Sequence, residues 1–378
     1  MSSKRQKSNI NYRTQTTHFN IFSLGCRIAI IKVHDKIHKH MAKVKKKVII
    51  IGLGKQSIED HIPALQSSRN AKLIGVVDKE RTKIKEWSEK LRVPGYTSFL
   101  DALNTNRPDF AIVAVPHDEY FEIVKELVRR KIHILKEKPL ALNYQEAIEI
   151  NRMSKKAGIQ LMVTLQRRFN PIFSTFTQLM NQIGRHFFVE AKYTIFVNDP
   201  GEGWRGLRRR AGGGCIIDMG YHLIDLLIWY FGLPDAVHAE CSTSARPDKF
   251  YDAEDTAIII FRYREPGIFG TMILSRYMWP KTEYLKLIGS EGSVVVKRGK
   301  LTRTSKTGEI LEQLSREKSW TAAAAEQIEY FCGVINGEKK NIGSPEYHLQ
   351  HMAFIEACYQ SQKLRSFVDP NTILHQNA

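Results

Sequence analysis

The chain has 378 residues, 43% of them hydrophobic and 25% charged, with 57 Lys and Arg against 39 Asp and Glu for a formal charge of +18. That length and apolar content suit two domains with full cores and exclude a fibrous or wholly disordered chain. Five scattered cysteines with no C-x-x-C pair argue against a zinc knuckle, a metal site or a disulfide framework and point to a reducing cytoplasm, while charge interrupts every long apolar run and argues against a membrane span.

The charge is unevenly spread. Residues 1–47 hold twelve Lys or Arg against the single acid Asp35. Residues 1–46 therefore read as a basic extension, disordered and outside the core; Met41 is a candidate start, since MAKVKKKVIIIGLG opens a domain normally. The remainder is only mildly basic and carries no base-stacking aromatic pattern, so no specific nucleic-acid partner is predicted.

The ordered chain begins with Lys47–Ile51, a β-branched run that reads as a buried parallel strand. Gly52-Leu53-Gly54 and a helical segment follow, the strand, glycine turn and helix of a dinucleotide site, with Ser57 where a third glycine is usual. The next strand, Lys72–Val77, ends at Asp78, an acid placed to bond an adenosine ribose hydroxyl. Asp78 favours NAD by repelling a 2′-phosphate, although Arg81 and Lys83 soften that preference and keep NADP as the alternative. Helices near 81–91 and 99–103, the strand 110–115 closed by Pro116, a helix at 120–130, the strand 133–135, a helix at 144–157 and a strand at 160–164 continue the alternation, which predicts a parallel sheet covered on both faces. Glu137-Lys138-Pro139 falls at the carboxyl end of a strand, where ligands bind in such sheets.

From Phe187 the pattern changes to strands at 187–197, 236–244, 257–263, 268–275, 284–288 and 293–297 with short connections, which predicts a largely antiparallel sheet. Helices at 320–335 and 345–362 close the chain. The fold class is therefore α/β: a Rossmann-type doubly wound parallel sheet at 47–165, then an α/β domain with a large open, mostly antiparallel sheet at 166–378. One face of that sheet is expected to take a helix and the other a second subunit.

The helix is Cys215–Phe231, almost wholly apolar yet carrying Asp218, His222 and Asp225 at i, i+4 and i+7, one stripe on an α-helix. Buried without partners, such groups cost several kcal/mol each, so the stripe should face water, one another or a ligand. Gly212-Gly213-Gly214 before it would let a backbone or a cofactor approach closely. Asp225 reads as an orienting or structural group. The basic run Arg205–Arg210 reads as a solvated loop or a grip on a substrate phosphate or carboxylate.

GLG at 52–54, EKP at 137–139, RRFNP at 167–171 and GGGCIIDMGYHLID at 212–225 together resemble the glucose-fructose oxidoreductase/inositol dehydrogenase family, Gfo/Idh/MocA, over about residues 47–369. The resemblance implies NAD(P)-dependent oxidation or reduction of a sugar, cyclitol or related polyol, in a homodimer or homotetramer built through the second sheet. It implies Lys138, Asp218 and His222 as the catalytic trio, His222 as general base, and Gly52, Gly54, Ser57, Asp78, Pro116, Glu137 and Lys138 at the coenzyme. Arg168, Trp204 and Arg205 are the candidate substrate contacts. Tyr120 departs from the family, standing where many relatives have histidine, and the turn to His61 is one residue longer than common. A dinucleotide-binding sensor without turnover and an NAD-dependent glycosidase are the alternatives.

Overall fold

The computed structural model describes residues 44–297, 299–315 and 318–375, so the expected basic extension lies, apart from its last residues, outside the described residues. The alternating first part forms β1 (Lys46–Ile51), β2 (Ala71–Val77), β3 (Gly95–Tyr96), β4 (Phe110–Val113), β5 (His133–Lys136) and β6 (Leu161–Val163). These make one parallel sheet in the order β3-β2-β1-β4-β5-β6. β1 is buried on both sides because its residues alternate between two cores: Ile49 and Ile51 enter one, Val48 and Ile50 the other. The order reverses between β1 and β4, so the loops leaving their carboxyl ends diverge and open a crevice.

The second part forms β7 (His186–Phe196), β8 (Ala236–Ser242), β9 (Thr256–Tyr263), β10 (Ile268–Ser275), β11 (Tyr277–Gly289), β12 (Gly292–Lys297), β13 (Lys300–Ser305) and β14 (Ile310–Ser315). They make an eight-stranded sheet, β14-β13-β12-β11-β7-β10-β9-β8, in which only the β7–β10 pair is parallel among the described residues. In β9, Ala257, Ile259, Phe261 and Tyr263 point into the core, while Ile258 and Ile260 stay exposed on the other face with Phe269 of β10. The inward face packs against the helix Tyr221–Phe231 and the helix Pro345–Leu364, in a core continuous with one face of the first sheet.

Three expectations need correction. β13 and β14 are absent from the strands foreseen, because their polar sequences KLTRTS and ILEQLS lack a full apolar face. The helix Trp320–Ile335 does not belong with the second sheet as the division at residue 166 implies. Its Ala324, Ile328, Phe331 and Cys332 pack with Val48, Ile50, Phe110 and Ile112 behind the first sheet, where Phe331 meets Phe110 edge to face at 5.3 Å. Its Glu329 accepts hydrogen bonds from Ser68 Oγ, the Arg69 N–H and Asn70 Nδ2 at the start of β2. Third, the stripe helix is not α-helical throughout: Ile216–Gly220 is a π-helical turn, and α-geometry starts at Tyr221.

Candidate active site

The crevice at the carboxyl edge of the first sheet is a cavity of about 580 Å³. Its floor is the turn after β1. Gly52 has φ +97°, and a Cβ there would lie 2.2 Å from the Ala114 carbonyl oxygen, so only glycine lets the turn lie against the end of β4. Gly54 has no atom within 4 Å of a Cβ position and borders the cavity, leaving a bare backbone ledge beside the helix start. Asp78 at the end of β2 is fixed by accepting from the Leu53 N–H at 2.6 Å and the Glu80 N–H at 2.9 Å. The ledge, the helix start and the fixed carboxylate fit a dinucleotide's pyrophosphate and ribose.

Ser57 has another place. It is fully buried and its Oγ donates to the Gly52 carbonyl at 2.6 Å, so it ties the turn from beneath instead of facing the cavity. The extra residue before His61 is accommodated as a π-helical turn, Ser57–His61, continued by the α-helix Ile62–Ser67. His61 Nε2 then lies 2.8 Å from Glu137 Oε1. Burial pushes the Glu137 carboxyl up, but the His61 bond and the Lys138 charge prevail and hold it below the usual range.

Lys138 borders the same cavity and donates from Nζ to Asp218 Oδ1 and to the Asp218 carbonyl, both at 2.7 Å. Its turn is held from behind by Lys136, a fully buried lysine whose Nζ donates to the Glu137 carbonyl at 2.7 Å and to the Pro139 carbonyl, with the Tyr120 ring centroid 3.5 Å away. Two carbonyls and a ring face give its three N–H bonds three partners. Burial nonetheless drives the Lys136 pKa well down.

Asp218 is the hub. Its Oδ2 accepts from Arg276 at 3.1 Å and has Arg205 Nε at 3.3 Å. Burial alone would raise its pKa; Lys138, Arg276 and Arg205 carry it far below the carboxylate range, so Asp218 is an anchor and not a proton acceptor. The glycines before it serve packing: a Cβ on Gly214 would sit 1.9 Å from the Glu254 carbonyl oxygen. The approaching group is therefore this chain's own backbone, not a cofactor.

Of the anticipated residues, Gly52, Gly54, Asp78, Pro116, Glu137, Lys138, Trp204, Arg205 and Asp218 all border the cavity. His222 does not. It is half-buried, and burial with the charges of Arg167 and Lys138 lowers its pKa well below 6.5, leaving a neutral imidazole that makes no hydrogen bond among the described residues. Arg168 stands apart as well. Its guanidinium is committed to Asp225, at 2.8 Å to Oδ1, and to the Tyr347 hydroxyl, and it lies against the Trp229 ring. Asp225 also meets His351 Nε2 at 3.0 Å, so this pair belongs to the core.

Sequence reasoning missed Arg276 and His117. Arg276 follows the last residue of β10 and has no local signal; its partner Asp218 is 58 residues away. His117, next to Pro116 at the end of β4, could have been suspected from that position. Its Nδ1 lies 2.8 Å from the Ala211 carbonyl and its ring meets Trp204 at 4.5 Å. Burial, opposed by Asp218, lowers its pKa to about 3. The cavity end thus joins the Lys138 ammonium, the fixed Asp218 carboxylate and the neutral His117 imidazole, groups able to orient a hydroxyl and stabilise an alkoxide, while the His222 imidazole lies outside the lining.

Residues 46–165 match the family model described as an oxidoreductase family with an NAD-binding Rossmann fold, and residues 180–295 match the GFO/IDH/MocA C-terminal domain. An uncharacterised oxidoreductase of Synechocystis sp. is 26% identical over 66% of this chain and 71% of its own length. Two solved structures share the fold. The WlbA dehydrogenase of Bordetella pertussis, in complex with NADH and UDP-GlcNAcA, is 21% identical with TM-score 0.74 over 86% of this chain and 98% of its own. The aldose-aldose oxidoreductase of Caulobacter crescentus, complexed with glycerol, is 21% identical with TM-score 0.76 over 86% and 99%. With both family models matched in order, and a glycine turn, a fixed acid and Lys138 bordering one crevice, the chain is a member of the Gfo/Idh/MocA oxidoreductases and carries their NAD-binding Rossmann domain.

Proposed function

We propose that the protein transfers a hydride between a hydroxyl-bearing carbon of a sugar, cyclitol or related polyol and a nicotinamide coenzyme. The observation that carries this reading is the Lys138 ammonium, 2.7 Å from Asp218, at the end of the cavity whose floor is the Gly52–Gly54 turn. When bound, the coenzyme supplies the hydride acceptor. The protein's share is orientation and proton handling. Lys138 donates to the substrate oxygen and stabilises the charge that develops as its proton leaves. Asp218, held by three cations, fixes Lys138 and stays ionised. His222, four residues on and kept neutral, is the general base that takes the hydroxyl proton. Arg167, whose Nε lies 2.8 Å from Glu283, adds its charge to that of Lys138 in keeping the imidazole neutral.

NAD is the preferred coenzyme in this reading. Asp78 and Glu80 put two carboxylates where a 2′-phosphate would fall, and Lys83 is engaged by Glu80 at 2.6 Å instead of remaining available to a phosphate. The exposed apolar residues Ile258, Ile260 and Phe269 on the open face of the second sheet support assembly with a second copy through that face.

The test is a screen of cyclitols, aldoses and nucleotide sugars, following the absorbance of reduced nicotinamide. Expected is coenzyme reduction by at least one class, lost in His222→Ala. Full activity of that variant would remove His222 as the base; coenzyme binding with no turnover on any class would remove the proposed reaction.

A further inference from the structure

The substrate end of the crevice holds more positive charge than it needs for its own structure. Asp218 has two carboxylate oxygens and three cations around them. Lys138 takes Oδ1 and the main-chain carbonyl, and Arg276 takes Oδ2, both as hydrogen bonds. Both are well covered, with side chains 15% and 4% exposed. Arg205 is the third. Its Nε approaches Oδ2 only to 3.3 Å, its side chain is 56% exposed, and among the described residues its guanidinium makes no hydrogen bond. The nearby acids are engaged elsewhere: Glu137 faces His61, Asp118 takes Arg210, and Glu119 takes Lys79. His117 is neutral and balances nothing.

Arg205 is nevertheless held in place. Its carbonyl accepts from Arg276 Nη1 at 2.9 Å, which fixes its backbone, and its guanidinium lies over the Trp204 ring, 4.4 Å from the centroid. Trp204 in turn rests on His117. A planar fork of donors, stacked, preorganised and facing a cavity, is the arrangement that binds a carboxylate or a phosphate in bidentate fashion. An arginine needed only to neutralise Asp218 would be redundant beside Lys138 and Arg276.

We infer that the polyol substrate carries an oxyanion, a carboxylate or a phosphate, and that Arg205 is the residue that binds it. This rests on the hydride-transfer reading above, for which the same crevice takes the coenzyme.

The test measures binding to the NADH-loaded protein by calorimetry, with three probes that share one carbon skeleton: D-glucitol, D-gluconate and D-glucitol 6-phosphate. One of the anions should bind about ten- to a hundredfold more tightly than glucitol, the usual range for a charge-assisted hydrogen-bonded pair, and which anion does so separates the two sources of the oxyanion. Arg205→Gln should abolish that preference while the protein still binds NADH; Arg205→Lys should restore part of it. Equal affinity for all three probes, no binding of either anion, or a preference that survives Arg205→Gln would overturn the inference. Failure to bind NADH would instead strike the reading on which it rests.

Discussion

Asp218 and Asp225 lie seven residues apart, and each meets a cation from a loop that leaves the carboxyl edge of the first sheet: Lys138 after β5 for one, Arg168 after β6 for the other. Both are held below the carboxylate range against the opposing effect of burial. They differ in what remains uncovered. Around Asp218, Lys138 borders a cavity and Arg205 stays more than half exposed; around Asp225, Arg168, His351 and Tyr347 close the shell. The same residue type with the same kind of partner borders an open cavity in one place and makes a closed structural clamp in the other. Access, and not charge, separates the two.

That contrast can be broken by substitution. In the proposed reaction, Lys138→Met should lower turnover by about two to four orders of magnitude, while moving the urea midpoint less than the loss of Arg168 does, since Asp218 keeps Arg276 and Arg205. A normal rate would remove Lys138 from the chemistry. Arg168→Met should do the reverse and cost stability, about 3–5 kcal/mol, because it leaves the Asp225 carboxylate buried without its main partner. Unfolding curves that match the parent would show that the two aspartates are not distinguished in this way.

A smaller effect concerns protons. Burial lowers the His117, His348 and His351 pKa values, so the unfolded chain takes up protons near 6.5 that the folded chain refuses. Stability is therefore full above that value and declines as pH falls below it. For His117, whose pKa is about 3, the loss comes to about 2 kcal/mol between about pH 7 and pH 5. Urea midpoints measured across that range should fall, and fall less steeply in His117→Asn; parallel slopes would sink the assignment. The smallest effect is at the coenzyme. Asp78→Ala should weaken NAD by roughly tenfold and NADP by less, as judged by binding of the two reduced forms. An unchanged ratio would take Asp78 out of ribose recognition.

Much of the first lobe could be read in advance, because its signals are local. The run KVIII, the glycines at 52 and 54 and the acid at 78 lie within one strand-turn-helix-strand unit, and Lys138 is marked by its place after a strand. What could not be read depends on partners far along the chain. Arg168 resembled a substrate ligand until Asp225 and Tyr347, 57 and 179 residues away, were seen to engage it. Arg276 has a role set wholly by a tertiary contact, and Lys136 one set by the turn that follows it and by the Tyr120 ring. The long β11 was foreseen only over 284–288, since its exposed first half, with Pro280, shows no alternation of apolar and polar residues.

The return of the helix Trp320–Ile335 to the back of the first sheet bears on how this protein can be divided. A fragment ending at residue 165 would leave Val48, Ile50, Phe110 and Ile112 without the apolar cover of Ile328 and Phe331, exposing a sticky patch on what is otherwise a self-contained nucleotide-binding lobe. Expression of that lobe alone should yield aggregates, whereas carrying residues 318–343 along as a tethered segment should keep it in solution. The two lobes are thus sewn together through this helix, whose Thr321 also donates to the Glu59 carbonyl on the helix after the glycine turn.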